Sequence, residues 1–168
     1  MEHIEYEWVK GCNVQERIRL FLLETDRDFI PVLSERVEIK MYAKKLAEQA
    51  ENLLVVVSGK DVASCSVYCN EDIAFISSFA VKKKYWMQHI GSKMMKEVIS
   101  HAINCGCSKL RLEVGEHNCQ AKSFYENCGF LVTVHHADWI VMELVLQRTS
   151  VMKSENYMWK CANDLENA

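Results

Sequence analysis

Residues 73–130 read IAFISSFAVKKKYWMQHIGSKMMKEVISHAINCGCSKLRLEVGEHNCQAKSFYENCGF. The run Ile73–Val81 has the length and the β-branched and aromatic content of a strand. A basic turn, Lys82-Lys83-Lys84-Tyr85-Trp86-Met87-Gln88-His89, leads to Ile90-Gly91-Ser92. There a helix opens that runs to Asn104, with Met94, Met95, Val98, Ile99 and Ala102 on one face. Gly106 is a natural left-handed stop. A second apolar strand covers 110–114, and a short helix, Cys119–Asn127, is halted by Gly129. That order sets a helix N-terminus beside one strand and the phenol of Tyr125 beside the next.

Working outward, Ile4, Tyr6 and Trp8 alternate with polar residues as in a half-buried strand. Asn13 followed by Glu16 has the form of a capping box. It predicts a helix whose stripe is Val14, Ile18, Phe21 and Leu22, broken before Pro31. A second helix is expected over 37–50, with Ile39, Tyr42, Ala43 and Leu46 on one face. Strands at 53–57 and 62–69 are joined by Ser58-Gly59-Lys60-Asp61, and Asn70-Glu71-Asp72 turns into the strand at Ile73. Beyond Phe130, strands at 130–134 and 139–146 flank His135-His136-Ala137-Asp138. The expected order is β-α-α-β-β-β-α-β-α-β-β. Periodicity by itself supports a mixed α/β sheet. One domain over 1–148 is expected, followed by a tail at 149–168 that docks as a helix or frays.

The blocks Ile90-Gly91-Ser92 and Asn118-x-x-Ala121-x-x-Phe124-Tyr125-x-x-x-Gly129-Phe130 resemble the GCN5-related N-acetyltransferase (GNAT) family. The resemblance implies an α/β fold of the α+β type: the acyl-CoA N-acyltransferase arrangement, a single mixed, mostly antiparallel sheet flanked by helices. It implies acetyl-CoA as cosubstrate, no metal, and a primary amine of a small molecule as acceptor. The family usually shows Gln/Arg-x-x-Gly-x-Gly/Ala before this helix. Here Trp86 stands for the Gln or Arg and His89 for the first glycine, while Ile90, Gly91 and Ser92 match. A helix N-terminus leaves N–H groups unpaired and carries partial positive charge, which suits a pyrophosphate. The resemblance thus implies coenzyme contacts at Gln88, His89, Ile90, Gly91 and Ser92. It also implies contacts from the backbone of Phe79, Ala80 and Val81, and from Asn118, Ala121 and Tyr125. Lys82 to Lys84 read as a solvated turn.

In that chemistry Tyr125 has a reason to be a phenol. Aminolysis of a thioester expels a thiolate, and a phenol can give it a proton or a hydrogen bond. The amine must lose a proton, and Glu113 is the candidate base, with Glu71, Asp72 and His117 also near strand ends. A covalent route through Cys119 or Cys128 is disfavoured against direct attack in a ternary complex. Arg36, Tyr42 and Asp138 are candidate acceptor contacts. His135 and His136, adjacent on a strand, point to opposite faces and so do not share a metal.

Composition narrows the alternatives. The chain has 168 residues, 49% apolar and 26% charged, with net charge −3. That balance disfavours a nucleic-acid partner. No apolar run has the length of a membrane span, so no membrane partner is expected, and a cytoplasmic location is. The 8 cysteines include no Cys-x-x-Cys pair and read as reduced thiols used as small apolar residues. Two other readings stand beside the acetyltransferase: a non-catalytic acyl-CoA-binding or scaffold domain, including a homodimer, and an O-acetyltransferase. The altered turn at Trp86 to His89 favours the former.

Overall fold

A computed structural model describes residues 3–147. The tail expected at 149–168 lies outside the described residues. The elements are β1 (Ile4–Val9), α1 (Gln15–Thr25), α2 (Ile39–Gln49), β2 (Glu51–Val57), β3 (Lys60–Tyr68), β4 (Ile73–Val81), α3 (Ile90–Asn104), β5 (Lys109–Gly115), α4 (Cys119–Asn127), β6 (Leu131–His135) and β7 (Trp139–Val145). The order is the one expected from sequence. The strands form one sheet, β1-β2-β3-β4-β5-β7-β6. Among the described strands only the β4–β5 pair is parallel, because α3 crosses over between them.

Two cores cover the sheet. Met94, Met95, Val98 and Ala102 of α3 pack with Leu53, Val55, Leu110, Leu112, Tyr125 and Phe130. On the other face, Val14, Ile18 and Leu22 of α1 pack with Ile39, Ala43, Leu46 and Ala47 of α2. Strands buried on both faces need apolar residues at successive positions, and Leu53 to Val57 supply them. Asn52, fully buried, donates from Nδ2 to the carbonyls of Leu46 and Ala50 and accepts from Ser66 Oγ at 2.6 Å. Its hydrogen bonds tie the end of α2 to the sheet.

The capping box at Asn13 and Glu16 does not form. Cys12–Val14 make a 3-10 turn instead, with Val14 at the helix cap and no side-chain cap. Gly11, at φ 107, gives its N–H to Ala47, and Val14 closes the turn on the Gly11 carbonyl. Glu16 is drawn to Arg19 at 2.6 Å. The hairpin turn is Ser58-Gly59 alone, both at positive φ, with β3 beginning at Lys60.

Candidate active site

Parallel pairing of β4 with β5 runs from Ile73↔Lys109 to Ile76↔Leu112 and stops. Beyond it, β4 continues to Val81 and β5 to Gly115 without pairing to each other. The two strands therefore splay, leaving backbone groups along one side of β4 open. The Lys82 N–H bonds to Val62 of β3. Strand alternation then turns the N–H and C=O of Val81 and Phe79 away from β3, toward the splay, and those of Ala80 toward β3. The Val81 carbonyl already accepts from Trp86 Nε1 at 2.6 Å. Trp86 thus closes the end of β4.

A bulge sits where the splay begins. The β3–β4 register passes from Ser66↔Ser78 to Val67↔Ile76, so Ser77 is the extra residue. Tyr42 Oη contacts both the carbonyl and the hydroxyl of Ser77 at 2.8 Å. Its hydroxyl is thereby engaged in fixing the bulge. Next to it, Ser78 Oγ is buried and has no hydrogen-bond partner among the described residues.

The N-terminus of α3 faces the same region. His89 is its cap residue, at φ 60 and ψ 10, and no side chain bonds to its first amides. The helical ladder begins with Lys93 N–H to His89 C=O. By contrast, Glu38 caps α2 through Lys40 and Met41, and Asn118 caps α4 through Ala121 N–H at 3.2 Å. The left-handed φ at His89 accounts for the family's glycine at this position; histidine adopts it at some cost. A Cβ on Gly91 would meet the Phe124 ring at 3.5 Å and Val81 at 3.7 Å, ordinary contact distances. Gly91 therefore opens the space between the end of β4 and α4. Gln88 and His89 are exposed, Ile90 is buried, and Ser92 is half-buried.

Tyr125 is only 8% exposed. It packs edge-on to Phe79, Phe124 and Phe130. Burial first, then the Cys65 and Cys128 thiols, push its phenol well above the ordinary tyrosine range. Tyr125 lies in the core with Leu112 and Val114, whereas Glu113 alternates to the opposite face and is exposed. The two candidate catalytic residues therefore stand on opposite faces of the sheet.

The loop between α1 and α2 spans the open ends. Glu24 pairs with Lys82, and Asp28 pairs with Lys83 at 2.9 Å. Lys82 is thus paired with the last turn of α1, and Lys83, still exposed, with the loop. Farther on, Gly115 meets Ile30: a Cβ there would lie 2.8 Å from the Ile30 carbonyl oxygen. The loop is tied to the end of β4 at one side and rests on the end of β5 at the other. Just past β5, Glu116 Oε2 is buried without a hydrogen-bond partner among the described residues, 3.7 Å from His135 Nδ1. The family resemblance implied a bulge in the strand 76–81 but not its place at Ser77, and the sequence reading passed over Gly115 and Glu116. A glycine ending a strand and an acid beside it were the only signals available.

The family model for the Acetyltransferase (GNAT) family matches residues 6–130. The chain belongs to the GNAT acetyltransferase family. A curated relative is thialysine N-epsilon-acetyltransferase of Bos taurus, 40% identical over 55 residues, which are 33% of this chain and 32% of the relative. The match thus spans about a third of that protein. Among solved structures, the ribosomal-protein-S18-alanine N-acetyltransferase from Escherichia coli superposes with TM-score 0.68 at 22% identity, over 93% of this chain and 98% of that one. The PaiA N-acetyltransferase from Thermoplasma acidophilum, solved in complex with coenzyme A, superposes with TM-score 0.71 at 16% identity, over 85% and 99%. At those identities the structures establish the GNAT fold.

Proposed function

We propose that this GNAT chain transfers an acetyl group from acetyl-CoA to a primary amine of a small molecule, by direct attack in a ternary complex. The observation that carries the reading is the β4–β5 splay with the uncapped α3 N-terminus beside it. The residues fit the coenzyme. The free amides of Ile90, Gly91 and Ser92 suit a pyrophosphate. Phe79 offers its backbone N–H and C=O, and Val81 its N–H, to an amide-bearing arm, and the buried Ser78 hydroxyl lacks a partner among the described residues. Acetyl-CoA supplies an activated acyl group with a thiolate as leaving group.

The chain's own residues then divide the work. A backbone N–H of β4 at the splay faces the region where charge grows on the acyl oxygen; a preorganised donor there typically stabilises by several kcal/mol. The Tyr125 phenol, raised by burial, keeps its proton at any working pH. A phenol above its ordinary pKa of about 10 does not surrender that proton to a thiolate whose thiol has pKa about 8.5. It donates a hydrogen bond instead. Glu113, on the opposite face, takes the amine's proton. The acceptor enters beneath the 29–32 loop, where Glu113, Glu116 and Asp138 suit a cationic amine. The matched relative, a thialysine N-epsilon-acetyltransferase, agrees with an amine acceptor.

A second reading, coenzyme binding without transfer, draws on one observation. Met87 and His89 both take left-handed backbone, and at His89 the family pattern has glycine. A panel of small amines, each incubated with acetyl-CoA and followed by thiol release, separates the two. The proposal expects amine-dependent thiol release and an acetylated product by mass. Saturable coenzyme A binding with no release across cationic, neutral and acidic amines would establish the second reading.

A further inference from the structure

Remote from the splay, at the other end of the β3–β4–β5 region, three soft donors converge. The ligand atoms of Cys69, His101 and Cys105 all lie within 4.8 Å of one another. His101 and Cys105 are one turn apart at the end of α3, so they share a face. Cys69 follows β3 directly and approaches them from the sheet. Cys105 Sγ is 3.6 Å from His101 Nε2. For a tetrahedral ion with metal–sulfur about 2.3 Å and metal–nitrogen about 2.0–2.1 Å, the edge between those two ligands is about 3.6 Å. The pair already has that spacing. Cys107 adds a third thiol, and a fourth donor: it contacts Cys69, and its Sγ points at the Glu71 carbonyl at 3.3 Å. The Trp8 indole stacks on the His101 ring with centroids 4.1 Å apart and planes 22° apart, which fixes the imidazole orientation.

We infer that Cys69, His101 and Cys105, with Cys107 as the fourth ligand, form a structural zinc site that pins the end of α3 to the β3 and β5 termini. Thiolate and imidazole donors in a tetrahedral set select zinc over hard cations such as magnesium or calcium. The carbonyls that end α3 add partial negative charge on the same side. Each thiol that ligates gives up its proton to solvent, so the three thiolates more than neutralise the dication and leave the site with one net negative charge. The sequence conceals the site because Cys69 is remote from the other three, and His101-x-x-x-Cys105-x-Cys107 has no familiar finger spacing.

The test is metal content and metal response of the full chain. Protein purified without chelator should hold about one zinc per chain by elemental mass spectrometry. Stripped and reduced protein should bind zinc with a change in Trp8 fluorescence. Cobalt in its place should give thiolate-to-metal charge-transfer absorption. Losing a second-shell partner typically weakens metal binding 10- to 100-fold, so Cys105→Ser should weaken zinc by at least about 100-fold. Cys105 is exposed, so that variant should fold, as judged by circular dichroism; Cys12→Ser, also exposed and elsewhere, should change nothing. A second variant, His101→Gln, should lose both the metal and the Trp8 response. Substoichiometric zinc with no cobalt charge-transfer band would overturn the inference. So would a non-reducing mass showing these cysteines as a disulfide, or wild-type affinity in both variants.

Discussion

Gly115→Ala tests whether the α1–α2 loop rests on the end of β5. A Cβ at residue 115 would come 2.8 Å from the Ile30 carbonyl oxygen and 3.5 Å from Pro31 Cδ. The near neighbour is backbone, so no rotamer change can relieve it. Either the 29–32 loop lifts or β5 shifts. Over-packing of this kind typically costs about 1–3 kcal/mol. In a chain of this size each kcal/mol lowers Tm by about 2–4 °C, so the drop should be about 2–12 °C. The loop is also held at Lys83, and the end of α1 before it at Lys82, so the loop should lift at the β5 side while staying attached at the β4 side. The acceptor side would widen, and KM for the amine should rise more than KM for acetyl-CoA. Thermal melting by circular dichroism and steady-state kinetics with each substrate varied give both readouts. An unchanged Tm together with unchanged KM for the amine would refute the close approach and the loop's role.

Three further perturbations bear on the coenzyme side. Gly91→Glu places a carboxylate beside the α3 amides. At about 6 Å and an effective dielectric of 20–80, each phosphate charge is repelled by about 1–3 kcal/mol, so Kd should rise on the order of 10- to 100-fold or more; Gly91→Ala, whose Cβ makes only ordinary contacts, should bind normally by calorimetry. His89→Gly removes a left-handed histidine at φ 60, and should raise Tm by about 1–4 °C and tighten coenzyme A. Tyr125→Phe removes one hydrogen bond to a charged leaving group, about 1.5–3 kcal/mol, and should lower kcat roughly 10- to 100-fold with a loss that is flat from pH 6 to about 9.5. The same variant has a stability signature. A folded-state pKa raised above the unfolded value near 10 means stability is lost as pH rises past about 10. Replacing the phenol should flatten that loss by up to about 1.4 kcal/mol per pH unit, read from urea midpoints.

Much of the fold could be read from the chain, and the reasons are local. The span Ile90–Asn104 was marked at both ends, by Gly91-Ser92 and by Gly106, and α3 has those bounds. The span Cys119–Asn127 was framed by Asn118 and Gly129 in the same way. Asn13 and Glu16 misled because the competing 3-10 turn depends on Gly11 bonding to Ala47, a partner more than thirty residues on. Only the family resemblance implied the splay: it is a failure of pairing between two strands, and either strand alone looks regular. Tyr42 read as an acceptor contact, yet its hydroxyl is spent on the Ser77 bulge. Lys82 and Lys83 read as solvated, yet their acids arrive from α1 and the loop after it. Glu113 and Tyr125 were both picked as chemistry-bearing; that they occupy opposite faces follows from strand alternation only once β5 is known to be paired with β7.

Amide hydrogen exchange with and without coenzyme A tests the central claim most directly, because it reports both binding and place. The account predicts slowed exchange at Phe79, Val81 and Ile90 through Ser92, whose amides lack strand or helix partners. It predicts no change in the paired amides of β1 and β2. Slowed exchange elsewhere, with the 79–92 segment unaffected at saturating coenzyme A, would contradict it.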